Sequence, residues 1–396
     1  MKQAVIYGAG NIGRGFIGQL FHASGYKTAF VDVNQEVIEH LNTIGKYPIF
    51  ITDGDRYKTY TVENVRGING HDTVAVANAI AEADIMATAV GVNVLSRIAL
   101  PIAEGVKERI KRGVAEPLNI IICENMIRAD HYLREQVKQY LSDSEQAYFD
   151  SHVGTVEPSI GRMVPATPVE IREKEPLAVC VEPYCTLPVD RNGFLGEIPE
   201  IVNMVPFSPF DFHICRKLYM HNMSHALVAY LGDRRGYEFI WQAVADADIR
   251  SIASMALDEI SRAMSQEYNV PLQELQAFGN ELLYRYENRL LGDTVARVGK
   301  DTERKLGAKD RFGGALKLCE KHGITPSAML VGYSAGFLFA PEGDDASASI
   351  KKDAEAKGVC TTVTTRLALS LSDEALASID RLYRLLRENS PLSAIL

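Results

Sequence analysis

A short glycine-rich segment near the start of the chain most constrains its fold. The apolar run from Gln3 to Tyr7 predicts a strand, and a helical pattern begins a few residues later. Between them lie Gly8, Ala9, Gly10, Asn11, Ile12 and Gly13. In a strand–loop–helix unit, Gly8 permits a tight turn, Gly10 lets the backbone approach a pyrophosphate, and Gly13 lets the helix pack closely on the strand. The free amides at the helix start favour an anion. The segment predicts a dinucleotide-binding loop, with a plain glycine turn as the alternative.

An acidic residue at the end of the second predicted strand strengthens this prediction. The run from Thr28 to Val33 reads as a strand and contains Asp32, about 20 residues beyond the glycines. A carboxylate at this position can accept hydrogen bonds from both ribose hydroxyls of an adenosine, and it repels a 2′-phosphate. Asp32 therefore predicts NAD rather than NADP, unless it is only a turn residue at the strand end.

Composition narrows the class of protein. The chain has 396 residues, of which 46% are hydrophobic and 23% charged, as expected for a globular protein of about two domains. No apolar run approaches the ~18 residues of a membrane span, and no signal-peptide pattern precedes the first strand, so we expect a cytoplasmic protein. The six cysteines form no C-x-x-C pair, which indicates neither a disulfide framework nor a structural zinc site. The net charge of -9 argues against nucleic-acid binding.

The order of predicted elements indicates two domains. Short apolar runs alternate with helical patterns over the first third of the chain, which is typical of an open, doubly wound parallel sheet. Ser151 to Pro199 is extended and rich in proline, and we expect it to add strands to the first domain. Nearly everything after Phe207 reads as helical. The prediction is an α/β chain with a Rossmann-type domain at residues 1–204 and a mostly α-helical domain at residues 205–396.

One predicted helix of the second domain carries the residues for chemistry. Ser208 is its expected N-cap, Pro209 its first residue, and Gly232 lies near its expected end. At about 100° per residue in an α-helix, His225 would lie about 80° and Asn222 about 140° around from Lys217. All three side chains could then face one cleft, although such residues are often merely surface residues.

These three residue types suit proton transfer at an alcohol. Oxidation of a secondary alcohol needs a base for the hydroxyl proton and hydrogen-bond donors for the developing alkoxide. Burial lowers the pKa of a lysine, which would make Lys217 a competent base. Asn222 could donate its amide to the oxygen, and His225 could orient the substrate.

The pattern Lys217-x4-Asn222-x2-His225 behind a dinucleotide-binding loop resembles the polyol-specific long-chain dehydrogenase family. The resemblance extends from Tyr7 through Cys123-Glu124-Asn125-Met126 to Leu306. It implies that Lys217 is the general base, that Asn222 and Asn125 bind the oxyanion, that His225 contacts substrate, and that no metal takes part. It also implies that Arg297 and Lys305, eight residues apart, hold the sugar chain. A monomer or weak homodimer is expected from the same resemblance.

The sequence departs from the family pattern at one position. Several members have an aspartate where this chain has Gly161, ahead of Arg162-Met163-Val164-Pro165. The role of that carboxylate must be absent or filled by another residue. Glu157 is a candidate.

The charge of one segment bears on the substrate. The segment from Arg297 to Arg311 contains six basic residues and three acidic ones, whereas the rest of the chain is acidic. The basic residues are Arg297, Lys300, Arg304, Lys305, Lys309 and Arg311. Arginine and lysine suit a phosphate, so we expect a sugar phosphate or polyol phosphate as substrate, with Arg297, Lys300, Arg304 and Lys305 as candidate contacts. A solvated charged face is the alternative explanation.

The sequence thus predicts an NAD-dependent oxidoreductase that acts on a phosphorylated hexitol. Two alternatives remain: a hexuronate reductase of the same family, and a non-catalytic protein that senses NAD.

Overall fold

The computed structural model describes residues 2–395, and the chain divides into two compact units between His213 and Ile214. No helix in this described range is both long enough and apolar enough to cross a membrane.

The first unit is built on a six-stranded parallel sheet with the order β5-β2-β1-β6-β7-β8. Its strands are β1 (Gln3–Tyr7), β2 (Lys27–Asp32), β5 (Val65–Asn69), β6 (Ile85–Thr88), β7 (Leu118–Ile122) and β8 (Val153–Val156). The chain starts in the middle of the sheet, moves to one edge, returns, and builds towards the other edge. This is the dinucleotide-binding order, and it confirms the predicted doubly wound sheet.

Residues of β1 show why this sheet is buried on both faces. Ala4 and Ile6 pack into one hydrophobic cluster, and Val5 and Tyr7 pack into a second one. Successive side chains of a strand point to opposite faces, so both faces must be covered by helices. The covering helices and their neighbours in the unit are α1 (Gly18–Ala23), α2 (Gln35–Ile44), α3 (Thr73–Glu82), α4 (Val92–Leu95), α5 (Ala99–Lys111), α6 (Ala129–Lys138), α7 (Asp143–His152) and α8 (Val169–Lys174).

Two small sheets are added to the first unit. The strands β3 (Lys46–Asp53) and β4 (Arg56–Glu63) form an antiparallel hairpin, and β9 (Val179–Val181) pairs in parallel with β3. A second parallel pair joins β10 (Leu187–Asp190) to β11 (Met204–Phe207). Residues 179–190 lie in the proline-rich stretch where added strands were predicted. The predicted domain boundary after residue 204 falls inside β11, whose last three residues pair with Pro188 to Asp190.

The second unit is helical. Its elements are a π-helix (Arg216–Asn222), α10 (Met223–Arg234), α11 (Ile240–Ala245), α12 (Ala247–Tyr268), α13 (Leu272–Tyr286), α14 (Val295–Gly299), α15 (Thr302–Leu306), α16 (Arg311–Lys321), α17 (Ser327–Gly336), α18 (Asp345–Lys357), α19 (Val359–Thr361), a second π-helix (Thr362–Arg366) and α20 (Asp373–Arg387). The short helix α9 (Asp211–Cys215) precedes them at the division between the units.

Helices α10 and α17 form the buried centre of this unit. Every residue of α17 from Ala328 to Gly336 is buried, as are nine of the twelve residues of α10. Gly332 of α17 faces Leu227 of α10 so closely that a Cβ would lie 2.5 Å from the leucine side chain. The glycine therefore lets the two helices approach each other, since any larger side chain would collide with that leucine.

Asp246 separates α11 from α12. It has extended backbone and caps α12 by accepting hydrogen bonds from the amides of Asp248 and Ile249. Further along the chain, residues 341–358 contain the 13-residue helix α18.

Candidate active site

The glycine-rich loop follows β1 at the carboxyl edge of the parallel sheet. Gly8 has a left-handed φ of +108°, and a Cβ on it would collide with the carbonyl group of Ala89. A Cβ on Gly13 would collide with the carbonyl oxygen of Gly8. Gly10 is exposed and has no atom near the position of a Cβ. Two of the glycines thus allow close backbone packing, and the third leaves open space above the loop.

Asp32 lies beside this loop at the end of β2. One carboxylate oxygen accepts a hydrogen bond from the amide of Ala9 at 2.7 Å, and the other accepts one from the amide of Asn34 at 2.9 Å. Each oxygen keeps a second lone pair, because an ionised carboxylate offers about four acceptor positions. Asp32 can therefore brace the loop and still accept hydrogen bonds from a ligand.

The buried side chain of Arg14 supports the glycine-rich loop. This role was not predicted from the sequence. The Arg14 guanidinium donates to the carbonyl oxygen of Ala9. The hydroxyl of Tyr47 in turn donates to the carbonyl oxygen of Arg14 at 2.8 Å. Burial lowers the pKa of Arg14, and the nearby Tyr47 and Asp32 oppose that shift. An arginine directly after the glycine motif has no sequence pattern that indicates such a supporting role.

Asn125 lies in the loop after β7, at the same edge of the sheet as the glycine loop. Asn125 is exposed, whereas its neighbour Glu124 is buried. The Glu124 carboxylate accepts hydrogen bonds from the amides of Val90 at 2.9 Å and Gly91 at 2.7 Å. Glu124 therefore ties the loop after β6 to the loop that presents Asn125.

Gly161, at the position where several family members have an aspartate, lies beside Tyr184. A Cβ at Gly161 would lie 3.3 Å from the ring of Tyr184. Glu157, the candidate replacement, accepts a hydrogen bond from the amide of Arg128 at 2.7 Å. Burial raises the pKa of Glu157 to about 6, and the nearby Asp130 and Asp190 act in the same direction. This carboxyl is thus held by the loop that starts α6.

In the second unit, Lys217 and Asn222 lie in a π-helix rather than in an α-helix. The π-helix spans Arg216–Asn222, between α9 and α10. The angular separations predicted for these side chains assumed an α-helix and are wrong for this segment. A π-helix forms hydrogen bonds between residues i and i+5, so Lys217 and Asn222 are one hydrogen-bonded turn apart. Their side chains are both half-buried.

The predicted start of this helix is also wrong. The helix begins at Asp211, and Ser208 and Pro209 precede it, joined by a cis peptide bond. The hydroxyl of Ser208 accepts a hydrogen bond from the side chain of Asn192 at 2.9 Å. Gly232 lies near the C-terminal end of the helix, as predicted, two residues before α10 ends at Arg234, and it packs against Ala243 and Val295.

His225 lies in α10, three residues beyond Asn222, in a pocket of aromatic and polar side chains. Its ring stacks on Tyr286 with the centroids 4.7 Å apart and the planes inclined by 9°. The hydroxyl of Tyr286 donates to the carbonyl oxygen of His221 at 2.9 Å and also contacts the hydroxyl of Ser224 at 2.9 Å. The ring of His221 is buried and lies 6.0 Å from that of His225. Tyr286 and His221 were not predicted as site residues.

Both histidines are neutral at physiological pH. Burial lowers the pKa of His221 well below its usual value, and the charges of Arg285 and Lys217 add to the shift. Burial also lowers the pKa of His225, followed by the charges of Arg297, Lys305 and others. A neutral imidazole has one hydrogen-bond donor and one acceptor. The cations that contribute to these shifts come from several helices.

Two of the predicted substrate contacts, Arg297 and Lys305, belong to this cationic group. Arg297 in α14 donates to the buried carboxylate of Asp293. Lys305 in α15 is buried, and its amine donates to the carbonyl oxygen of Val298 at 2.5 Å. Burial lowers the pKa of Lys305 to about 7, and the charges of Arg311 and Arg304 add to this effect.

Arg311 joins the same group at the start of α16. It is buried, its Nε donates to Asp310 at 2.9 Å, and its NH1 reaches the carbonyl oxygen of Asn222 at 3.5 Å. Arg311 belongs to the basic segment of the sequence, but it was not predicted as a substrate contact. Arg311 and Asn222 are 89 positions apart in the sequence, so tertiary packing alone brings Arg311 to the end of the π-helix.

The other two predicted substrate contacts are more exposed. Lys300 is exposed at the end of α14. Arg304 is half in solvent and is held by Asp301 at 2.6 Å and Asp310 at 2.9 Å. Lys300 and Arg304 therefore lie at the rim of the basic segment, whereas Lys305 and Arg311 lie in its interior.

Residues 2–395 contain no group of three or more histidine, cysteine, aspartate or glutamate side chains placed to hold a metal ion. The chain itself supplies glycine-loop amides, a strand-end carboxylate, and a lysine and an asparagine on a π-helix. It also supplies two neutral histidines and several buried cationic side chains. A Rossmann-type unit followed by a helical unit with such residues is typical of dehydrogenases.

Comparisons with known proteins give the family. Residues 2–203 match the mannitol dehydrogenase Rossmann domain, and residues 210–392 match the mannitol dehydrogenase C-terminal domain. Mannitol-1-phosphate 5-dehydrogenase of Thermoanaerobacter pseudethanolicus is 34% identical over 98% of this chain and 99% of its own length. The enzyme of the same name from Bacillus licheniformis is 39% identical over 85% of this chain and 87% of its own.

Solved structures show the same fold. D-sorbitol dehydrogenase in substrate-free form superposes with a TM-score of 0.83 and 14% identity, covering 99% of this chain and 94% of the other. Mannitol 2-dehydrogenase of Pseudomonas fluorescens, solved with NAD and D-mannitol, gives a TM-score of 0.75 and 14% identity, covering 100% and 93%. The chain belongs to the mannitol dehydrogenase family.

Proposed function

We propose that this chain is an NAD-dependent polyol-phosphate dehydrogenase that interconverts D-mannitol 1-phosphate and D-fructose 6-phosphate. Relatives that carry the name mannitol-1-phosphate 5-dehydrogenase align with nearly its whole length. The structural observation that carries the proposal is a group of cations near His225 and Asn222. Arg297 pairs with Asp293, whose Oδ2 lies 3.5 Å from Nε2 of His225. Arg311 reaches the carbonyl oxygen of Asn222, and both Arg311 and Lys305 are buried. Such a group favours an anionic ligand over free mannitol.

The glycine loop and Asp32 fit an adenine dinucleotide. Gly10 leaves space above the loop, and the Asp32 oxygens keep lone pairs for ribose hydroxyls. The negative charge of Asp32 disfavours a 2′-phosphate, so the residues suit NAD better than NADP. NAD, when bound, accepts a hydride from the alcohol carbon, which is C5 of mannitol 1-phosphate.

The residues of the chain supply the proton chemistry. In the oxidative direction, Lys217 in its neutral form takes the proton of the C5 hydroxyl, and it returns this proton to the carbonyl oxygen in the reverse direction. Asn222 and Asn125 donate amide hydrogens to that oxygen and stabilise its developing charge. His225, uncharged, hydrogen bonds a neighbouring hydroxyl of the substrate.

The phosphate of the substrate is held by cations of the basic segment. Lys305 and Arg311 are buried, so their interactions with an anion are weakly screened by solvent. Arg297 and Lys305 contribute to sugar-chain binding in the same proposal, and the rim residues Lys300 and Arg304 add attraction at longer range.

The proposal includes a cytoplasmic location, a monomer or weak homodimer, and neither a nucleic-acid nor a membrane partner. Light scattering combined with size-exclusion chromatography at several protein concentrations measures the oligomeric state. A stable tetramer would contradict that part of the proposal.

A substrate panel tests the proposed reaction. Purified protein is mixed with NADH, and the loss of NADH absorbance is followed with fructose 6-phosphate, fructose, fructuronate or tagaturonate. Of these four substrates, we expect only fructose 6-phosphate to give rapid oxidation of NADH. Preferred reduction of fructuronate or tagaturonate would instead show a hexuronate reductase, and NADH binding without turnover on any substrate would indicate an NAD-sensing protein. Either result would overturn the proposal.

A further inference from the structure

Asp293 is a buried carboxylate placed at the edge of the His225 ring. It lies in the loop between the 3₁₀ turn Arg289–Leu291 and α14, and it is 6% exposed. Its Oδ2 is 3.5 Å from Nε2 of His225. Among the described residues, neither of these two buried atoms has a hydrogen-bond partner. The two atoms therefore face each other at a separation slightly longer than a formed hydrogen bond.

The other surroundings of His225 fix the plane of its ring. Tyr286 stacks on the ring, and the Tyr286 hydroxyl is itself held by the carbonyl oxygen of His221 and the hydroxyl of Ser224. The ring therefore has little freedom to tilt, and its edge faces the Asp293 carboxylate. With Nε2 turned towards Asp293, Nδ1 is the ring nitrogen left for a ligand.

Arg297 stabilises the ionised form of this carboxylate: burial raises the pKa of Asp293, and Arg297 opposes that shift. It donates to Oδ1 of Asp293, the oxygen that does not face His225. A neutral imidazole can carry its hydrogen on either nitrogen, and the hydrogen bond made by one nitrogen decides the state of the other. An ionised Asp293 accepts but cannot donate, so it favours the imidazole form with hydrogen on Nε2.

We propose that Asp293 is a positioning residue that holds His225 in the Nε2–H form, so that Nδ1 is presented to the substrate as a hydrogen-bond acceptor. Arg297 then has a second task besides substrate binding, because it orients the Asp293 carboxylate. The 3.5 Å gap closes when substrate binds, as hydrogen bonds of catalytic groups commonly shorten in the complex. This inference rests on the proposed function for the role of His225, but the form of the imidazole is a property of the free protein.

The test compares Asp293→Asn with Asp293→Leu. Asparagine keeps the shape of aspartate, but its oxygen accepts from Arg297, so its amide NH2 group faces His225 Nε2 as a donor. Leucine offers His225 neither a donor nor an acceptor. Proton–nitrogen correlation spectra of ¹⁵N-histidine-labelled protein identify the form of each ring, and His225→Gln assigns the His225 signals. We expect Nε2–H in the wild type, Nδ1–H in Asp293→Asn, and a mixture of the two forms in Asp293→Leu.

Turnover provides the second measurement. Misplacing a group that contacts substrate costs about 10- to 100-fold in rate, so kcat should fall by this factor in both variants, with the Kd for NADH unchanged. An Nδ1–H signal in the wild type, an unchanged Nε2–H signal in Asp293→Asn, or a wild-type kcat in a variant that has the Nδ1–H form would overturn the proposal. If Asp293→Leu does not fold, the wild type and Asp293→Asn still decide by the same criteria.

The two proposals fail separately. Absence of turnover with every sugar phosphate would contradict the proposed function but leave the imidazole form of the free protein as predicted. A normal wild-type turnover with the Nδ1–H form would contradict only the role of Asp293.

Discussion

Lys217 and Asn222 are five residues apart within one π-helix, which is the separation that a π-helical hydrogen bond spans. In an α-helix the same two residues would diverge by about 140°. The π-helix therefore brings the proposed base and an oxyanion donor closer to one face. π-Helical turns are rare and frequently occur at functional sites, which fits the proposed role of this segment.

The π-helix is supported by a close contact with α16. A Cβ at Gly314 would lie 2.5 Å from the ring and hydroxyl of Tyr219. In an open helix position, Gly→Ala would stabilise the protein by about 1 kcal/mol. We expect Gly314→Ala to destabilise it instead and to lower kcat, because the alanine displaces Tyr219 and with it the π-helix.

Urea unfolding and kcat, measured together with the Kd for NADH, check this expectation. Lys317→Ala is the control, since Lys317 is exposed in the same helix. A Gly314→Ala variant that is more stable than the wild type and equally active would show that Tyr219 does not constrain the π-helix.

Asp32 is expected to determine the choice of cofactor. Asp32→Asn keeps an acceptor for the Ala9 amide but removes the negative charge that repels a 2′-phosphate. The ratio of kcat/KM with NADH to kcat/KM with NADPH should fall by about tenfold or more, because a charged hydrogen-bond acceptor for the ribose is replaced by a neutral one. An unchanged ratio would mean that another residue excludes NADPH.

The pKa of Lys305 predicts how substrate binding depends on pH. Burial, with Arg311 and Arg304, lowers this pKa to about 7, while Asp301 and Asp310 oppose the shift. Lys305 is therefore charged below pH 7 and loses its charge as the pH rises. The substrate phosphate is already a dianion above its second pKa of about 6. We expect the KM for fructose 6-phosphate to rise by about tenfold between pH 7 and pH 9, the effect of one lost charged hydrogen bond.

Lys305→Arg tests the origin of this dependence, because arginine stays charged over the whole range. The KM of this variant should change much less between pH 7 and pH 9. Lys300→Arg, at an exposed lysine of the same segment, should behave like the wild type. A steep rise in KM for Lys305→Arg would assign the pH dependence to a different group.

Glu259 predicts a pH dependence of stability in the second unit. Its carboxylate accepts hydrogen bonds from the amides of Ala328 at 2.8 Å and Met329 at 3.0 Å, at the start of α17. Burial nevertheless raises its pKa from 4.5 to about 7. The folded protein thus binds more protons than the unfolded chain between about pH 4.5 and pH 7, so stability falls as the pH rises through this window.

The shift corresponds to about 3 kcal/mol at about 1.4 kcal/mol per pKa unit. Glu259→Gln removes this pKa shift. The difference in the free energy of unfolding, variant minus wild type, should therefore increase by up to about 3 kcal/mol between pH 4.5 and pH 7.5. Glu267→Gln in the same helix is the control with opposite sign, because hydrogen bonds from Lys321 and His322 lower the pKa of Glu267. Parallel stability curves for the wild type and Glu259→Gln would contradict the assignment.

Much of the fold was predictable because its signals are local. The strands β1, β2, β6 and β7 are short apolar runs, and the order of strands and helices alone predicted the doubly wound sheet. The hairpin β3–β4 was missed because its second strand lacks such a run: β4 is mostly exposed, with only Val62 buried. The π-helix was missed because the same residues fit an α-helical pattern, and the choice between the two depends on packing.

The site was predictable only where its residues are close in sequence. Lys217, Asn222 and His225 share one segment, so their spacing was informative. Asp293 and Tyr286 reach His225 from other, distant segments of the chain, and Arg311 reaches Asn222 in the same way. A buried aspartate and a stacked tyrosine have no sequence pattern of their own, since tertiary packing alone brings them to the histidine.

The role of Lys217 is the central claim of the mechanism, and the turnover of Lys217→Ala measures it most directly. General acid–base catalysis contributes about 10²- to 10⁴-fold, so kcat for fructose 6-phosphate reduction should fall by at least that factor while the Kd for NADH stays within about twofold of the wild type. Lys321→Ala, at an exposed lysine of α16, is the matched control and should keep full activity. A Lys217→Ala variant with near wild-type kcat would contradict the account.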